Sequence, residues 1–112
     1  MMMKAFLINP ELKEITEVKY NGDYKQIYSL IGCKTFDVAR IPYGSDGIYV
    51  DDEGFYANVT HPWQFNRHHQ PPIYLVNKGL VLGCDDKGDT EEPTISLDLL
   101  KHFVTWEWVC HE

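Results

Sequence analysis

Asp23-Tyr24-Lys25-Gln26-Ile27-Tyr28-Ser29-Leu30-Ile31-Gly32 decides the fold class of this chain. Asp23 offers a side-chain oxygen to the first free N–H groups of a helix. Tyr24, Ile27, Tyr28 and Ile31 fall at i, i+3, i+4 and i+7, one apolar face of an α-helix. Gly32 supplies the left-handed residue on which helices commonly end. The spacing predicts a helix over residues 24–31, and the segments on both sides of it change to period two.

Before the helix, Lys4 to Ile8 is a short apolar run and Asn9-Pro10-Glu11 is turn chemistry. Leu12 to Tyr20 sets Ile15, Val18 and Tyr20 among charges, so a hairpin is expected, closed by Asn21-Gly22. After the helix, Cys33 to Ile41 opposes Phe36 and Val38 to Asp37 and Ala39. Pro42 to Gly47 is rich in turn residues, and Ile48-Tyr49-Val50 follows, which predicts a second hairpin. Asp51-Asp52-Glu53-Gly54 turns the chain again.

From Ala57 to Pro72 the pattern is read as aperiodic, a long connection gathering His61, Trp63, Phe65, Arg67, His68 and His69 between prolines. Ile73 to Cys84 is β-rich, with Gly79 marking a bulge or a close backbone approach. Asp85 to Pro93 reads as an acidic exposed loop. Ser96 is placed to cap a short helix, with Ile95 and Leu100 in hydrophobic-staple positions and Asp98 in the first turn. Val104 to Val109 closes the chain as a strand with Val104, Trp106 and Trp108 on one face. Strands and two helices interleave without a βαβ rhythm. The expectation is a single α+β domain over residues 1–112, mainly antiparallel sheet with two helices.

With 112 residues, 44% of them hydrophobic, the chain supports one core and excludes the large metabolic folds. Ten Lys and Arg against 17 Asp and Glu give a net charge of −7. Direct nucleic-acid binding is therefore disfavoured, and a basic protein or a small cation is the easier partner. The apolar run ahead of Asn9 is too short for a signal-peptide core or a membrane span, so a cytoplasmic setting without membrane contact is expected. Cys33, Cys84 and Cys110 are odd in number and lack Cys-x-x-Cys spacing, which reads as free thiols in a reducing compartment.

No metal site and no cofactor is expected. His61, His68 and His69 with Cys84, Cys110 or His111 offer nitrogen and sulfur, but adjacent His68 and His69 alternate faces and no pair has zinc-module spacing. No catalytic residue is assigned, since no nucleophile signature surrounds any cysteine. Two candidate surfaces remain. The first is the loop bearing Trp63, Phe65, Arg67, His68 and His69, where the rings would be exposed anchors and Arg67 with the imidazoles could hold a carboxylate or phosphate. The second is acidic: Asp51, Asp52 and Glu53, then Asp85, Asp86 and Asp89, neither of which follows the calcium-loop pattern. Unpaired sheet edges also predict a domain able to form a homodimer through an edge strand.

Lys4-Ala5-Phe6-Leu7-Ile8-Asn9-Pro10 with Ile15-Thr16-Glu17-Val18, Ile27-Tyr28-Ser29-Leu30-Ile31-Gly32-Cys33, Ile48-Tyr49-Val50-Asp51-Asp52-Glu53-Gly54 and Lys78-Gly79-Leu80-Val81-Leu82-Gly83 together resemble a family of small phage, prophage and plasmid proteins known only as a domain of unknown function. The resemblance implies a mobile-element protein acting inside a bacterial cell and carries over no catalytic residue. Combined with size and acidity, it leads to the expectation of a non-catalytic accessory protein binding a host macromolecule in counter-defence or host takeover. The alternative is a small-ligand binder sequestering an anionic metabolite or nucleotide signal, and the third reading is a small hydrolase or transferase.

Overall fold

A computed structural model describes residues 2–56 and 60–107. The chain opens with strands β1 (Met3–Asn9) and β2 (Glu14–Tyr20), then helix α1 (Tyr24–Ile31), then β3 (Phe36–Arg40) and β4 (Gly47–Asp51). A single 3-10 turn at Gly54–Tyr56 follows. β5 (Pro62–Phe65), β6 (Ile73–Val76), β7 (Gly79–Cys84), β8 (Thr90–Glu91), α2 (Leu97–Phe103) and β9 (Val104–Trp106) complete the described order. The expected α+β class is the one observed, and every strand pairing among the described residues is antiparallel.

The strands form two sheets. One runs in the order β2-β1-β7-β4-β3, with β8 paired to β7, and the other runs β6-β5-β9. Alternation along the strands of the larger sheet divides its side chains between two layers. Phe6, Ile8, Ile15, Ile48 and Val81 pack against Trp63, Phe65, Leu75 and Val104 of the smaller sheet and against Ile95 and Leu100 of the α2 segment. Ala5, Tyr20, Leu80 and Leu82 face the other way and pack against Ile27 and Ile31 of α1.

Helix α1 is built as its sequence demands. Asp23 accepts the Lys25 N–H, and Gly32 ends the helix at φ 68° while donating to the Tyr28 carbonyl. Ser96 likewise caps α2 by accepting the Leu99 N–H at 3.2 Å, and the staple residues Ile95 and Leu100 are both buried. Gly79 proves to be a close approach, because a Cβ there would stand 2.8 Å from Ile48 Cγ2 and 3.2 Å from Trp63 Cζ2.

Two expectations need correction. Residues 57–72 are not one aperiodic loop: Pro62–Phe65 is strand β5, central in the smaller sheet between β6 and β9. Proline is tolerated at its first residue, where no ladder N–H is required. The stretch Ile73 to Cys84 is β-rich as expected and forms two strands in different sheets, separated at Asn77, which takes the left-handed conformation at φ 65°. The loop Asp85 to Pro93 also contains the two-residue β8. The predicted positions of Ala57, Trp108, Val109, Cys110 and His111 lie outside the described residues.

Candidate functional site

The five loop residues singled out from sequence do not converge. Trp63 and Phe65 point inward from β5 and are both 0% exposed, so they are core residues and not exposed anchors. Trp63 Nε1 donates to the Asn77 carbonyl at 2.8 Å, which satisfies the indole where it is buried. Phe65 meets Phe103 edge to face with ring centroids 5.5 Å apart. Arg67 donates from its guanidinium to the Pro42 carbonyl and lies over the Tyr43 ring, 5.0 Å from its centroid. It ties β5 to the β3–β4 connection. His68 and His69 are exposed at a turn closed by the Gln70 N–H on the Arg67 carbonyl, with their rings 3.8 Å apart and His69 at φ 64°.

His61 lies apart from that pair, in a cleft of about 250 Å³ lined with Asn9, Glu11, Gly32, Asn77 and Lys78. Among the described residues no three His, Cys, Asp or Glu side chains are grouped as metal ligands would be. Cys33 and Cys84 are free thiols. Burial, then the charge of Asp51, pushes the Cys33 thiol above its ordinary value. A cysteine nucleophile requires the opposite shift.

The acidic residues divide by use. Asp51 Oδ1 accepts the Glu53 N–H at 2.9 Å, and Asp85 Oδ1 accepts the N–H groups of Lys87 and Asp89, also at 2.9 Å, so these two carboxylates shape their own turns. Asp52, Glu53, Asp86 and Asp89 stand in solvent. The turn holding Asp52 is joined to the start of β3 by the Asp52 N–H on the Thr35 carbonyl. Asp51 is the register partner of Phe36. The first acidic cluster therefore borders β3.

That border carries what sequence reasoning missed. Tyr24, Tyr28, Phe36 and Tyr49 form a continuous row of rings, with centroids 6.1, 5.3 and 5.3 Å apart in succession, running from α1 across β3 to β4. Tyr24 at its outer end is 55% exposed, and Val38, the register partner of Tyr49 on β3, is 40% exposed. The row continues into a pocket of about 240 Å³ over β3, β4 and β7, lined by Val38, Arg40, Ser45, Tyr49, Leu82 and Cys84. Burial raises the Tyr49 phenol above its ordinary value, Cys84 adds to the shift and Arg40 opposes it. Tyr49 is thus a protonated donor at the pocket wall. The signal was present in the periods that placed Tyr24, Tyr28 and Phe36 on apolar faces. What periodicity cannot tell is that an eight-residue helix covers only part of the sheet face beneath it.

A second missed residue is Asp46, which is fully buried between the two sheets' connections. Its carboxylate accepts the backbone N–H groups of Thr94 and Ile95, both at 2.8 Å, and so fastens the lead-in to α2 onto the β3–β4 turn.

Over residues 3–104 the chain matches the family described as Domain of unknown function (DUF3846), and it belongs to that family. No curated protein matches it. No solved structure matches it. No helix among the described residues is long and apolar enough to cross a membrane.

Proposed function

We propose that this DUF3846 protein is a binding protein without catalytic activity, an accessory factor of a phage or plasmid that engages a protein of its bacterial host in the cytoplasm. The observation that carries the reading is the half-open ring row Tyr24–Tyr28–Phe36–Tyr49 bordered by Asp51, Asp52 and Glu53. Aromatic side chains with polar tips are enriched where proteins dock, since they bury much area at low entropic cost. Carboxylates on the rim select a basic partner and speed its approach. The net charge of −7 acts in the same direction. The similarity of four sequence segments to mobile-element proteins supports the setting, and the raised Cys33 thiol speaks against nucleophilic chemistry at that residue.

The test is affinity capture from lysate of a bacterial host, with the wild type and a Tyr24→Ala, Asp52→Lys, Glu53→Lys variant compared at low and high salt. One host protein retained by the wild type, released by salt and lost by the variant is expected. An unchanged set of captured proteins would overturn the reading. The His68→Ala, His69→Ala variant should capture as the wild type does.

A further inference from the structure

Strand β3 is one edge of the larger sheet, and among the described residues no strand lies beyond it. Its inward and outward groups can be told apart. The Asp52 N–H donates to Thr35 and the Ile41 N–H donates to Asp46, and both pairs share the β3–β4 register. Hydrogen-bonded pairs alternate along an antiparallel ladder, so Thr35, Asp37, Ala39 and Ile41 face β4. Phe36, Val38 and Arg40 direct their N–H and C=O groups outward. Only the outward Val38 N–H has a partner among the described residues, the carboxylate of its neighbour Asp37 at 2.9 Å. The opposite edge, β2, is guarded differently: the Lys19 carbonyl accepts Gln26 Nε2 from α1 at 3.1 Å.

We propose that β3 accepts an extended segment of a partner protein as an added strand, one that alternates apolar and basic side chains. The inference rests on the docking face described above and names how that face is used. Strand addition draws affinity from main-chain hydrogen bonds and specificity from pockets for alternate side chains. Both components are present. On the face of Val38 and Arg40, the pocket of about 240 Å³ with Leu82 and Tyr49 in its lining seats an apolar side chain of the added strand. On the opposite face stands Asp37, so the intervening positions favour Lys or Arg, and Asp51, the register partner of Phe36, adds negative charge with the turn residues Asp52 and Glu53 at the Phe36 end of the strand. A cation there also draws the Asp37 carboxylate away from the Val38 N–H, which frees that donor for the incoming carbonyl. Asp37 thus keeps the edge closed to neutral strands.

The probe is a synthetic heptapeptide of alternating valine and lysine, followed by fluorescence polarisation and by amide exchange on the labelled protein. Binding is expected, with new protection of the N–H groups of Phe36, Val38 and Arg40. A valine–glutamate counterpart and a valine–lysine peptide N-methylated at alternate residues should each bind roughly tenfold more weakly or worse, because one lacks the charge and the other the main-chain donors. Val38→Pro should weaken binding likewise, and the N-methylated peptide keeps the test valid if that variant does not fold. Equal binding of the N-methylated peptide would overturn strand addition. So would a sedimentation profile showing a dimer that Val38→Pro dissociates, which assigns the edge to a second copy of this chain. Loss of host-protein capture in the Tyr24, Asp52 and Glu53 variant without any peptide binding sinks strand addition and leaves the face as a docking surface. Peptide binding with capture unchanged sinks the docking face and leaves the edge.

Discussion

The two faces of the larger sheet are made by the same strands and finished in opposite ways. One is closed by a second sheet and α2, and its large side chains Phe6, Trp63 and Phe65 are fully buried. Among the described residues the other is covered by α1 alone, and its rings Tyr28, Phe36 and Tyr49 stay half-buried, with Tyr49 at the wall of an open pocket. Aromatic side chains therefore have unequal consequences on the two faces. On the closed face they become stability, and on the open face they leave rings at the surface, where the proposed partner would dock.

Truncating the closed face should have the largest effect. Trp63→Ala removes a fully buried indole and leaves the Asn77 carbonyl without its donor, so a loss of roughly 3–5 kcal/mol is expected. Chemical denaturation should show the variant unfolded or close to it, since such a loss is a large part of a small domain's stability. A cooperative transition near that of the wild type would show that Trp63 is not the core residue described here.

That residue also marks the limit of what the sequence made legible. The α1 segment could be read almost completely because its signals are local: Asp23 caps, four apolar residues hold one period, and Gly32 stops the helix. Both hairpins and the Ser96 cap were legible for the same reason. The alternation of β5 was present, but it spans only Pro62–Phe65 and is bordered by polar residues and histidines. Its inward face is settled by pairing with β6 and with β9, the latter some forty residues away in sequence. The candidate site was hidden by the same non-local effect. Rings that follow a core period on α1 and β3 are left half open only because nothing among the described residues extends the α1 layer.

Asp46 ranks next. Replacing it with alanine leaves the Thr94 and Ile95 N–H groups without acceptors at the junction of the β3–β4 turn and α2, a loss of about 3 kcal/mol for two orphaned donors. Asp46→Asn should recover part of that loss, because one amide oxygen still accepts. Thermal melts of the two variants check the order. Equal melting of Asp46→Ala and the wild type would mean that α2 is held by its apolar contacts alone.

The open face should reveal itself in alkali. The raised groups Tyr20, Tyr49 and Cys33 all belong to it, each shifted first by burial. In the folded protein they keep their protons at a pH where the unfolded chain has begun to lose them. Their contribution is whole below the ordinary thiol value of 9.0, and it declines as pH rises past 9.0 and then past the ordinary phenol value of 10.0. Denaturation midpoints measured from pH 8 upward should therefore fall, and Tyr49→Phe should flatten the fall. A slope that Tyr49→Phe leaves unchanged would place the alkaline weakness elsewhere.

The smallest effect on stability should come from Tyr24, and it sharpens the comparison most. The ring is largely in solvent, at the first helical position of α1, and its one ring neighbour among the described residues is Tyr28 at 6.1 Å. Truncating it to alanine removes that edge contact and leaves a better helix former, so the balance should stay within about 0.5 kcal/mol, as for other exposed positions. Partner capture should nevertheless weaken by roughly tenfold, because an exposed aromatic anchor contributes to a complex far more than to the fold. Trp63→Ala, by contrast, can lose the partner only by losing the structure. If Tyr24→Ala melted several degrees lower, the open face would be part of the core after all. If it melted normally and still captured the host protein, the outer end of the ring row would lie outside the contact, and recognition would narrow to Val38, Arg40 and the pocket beside them.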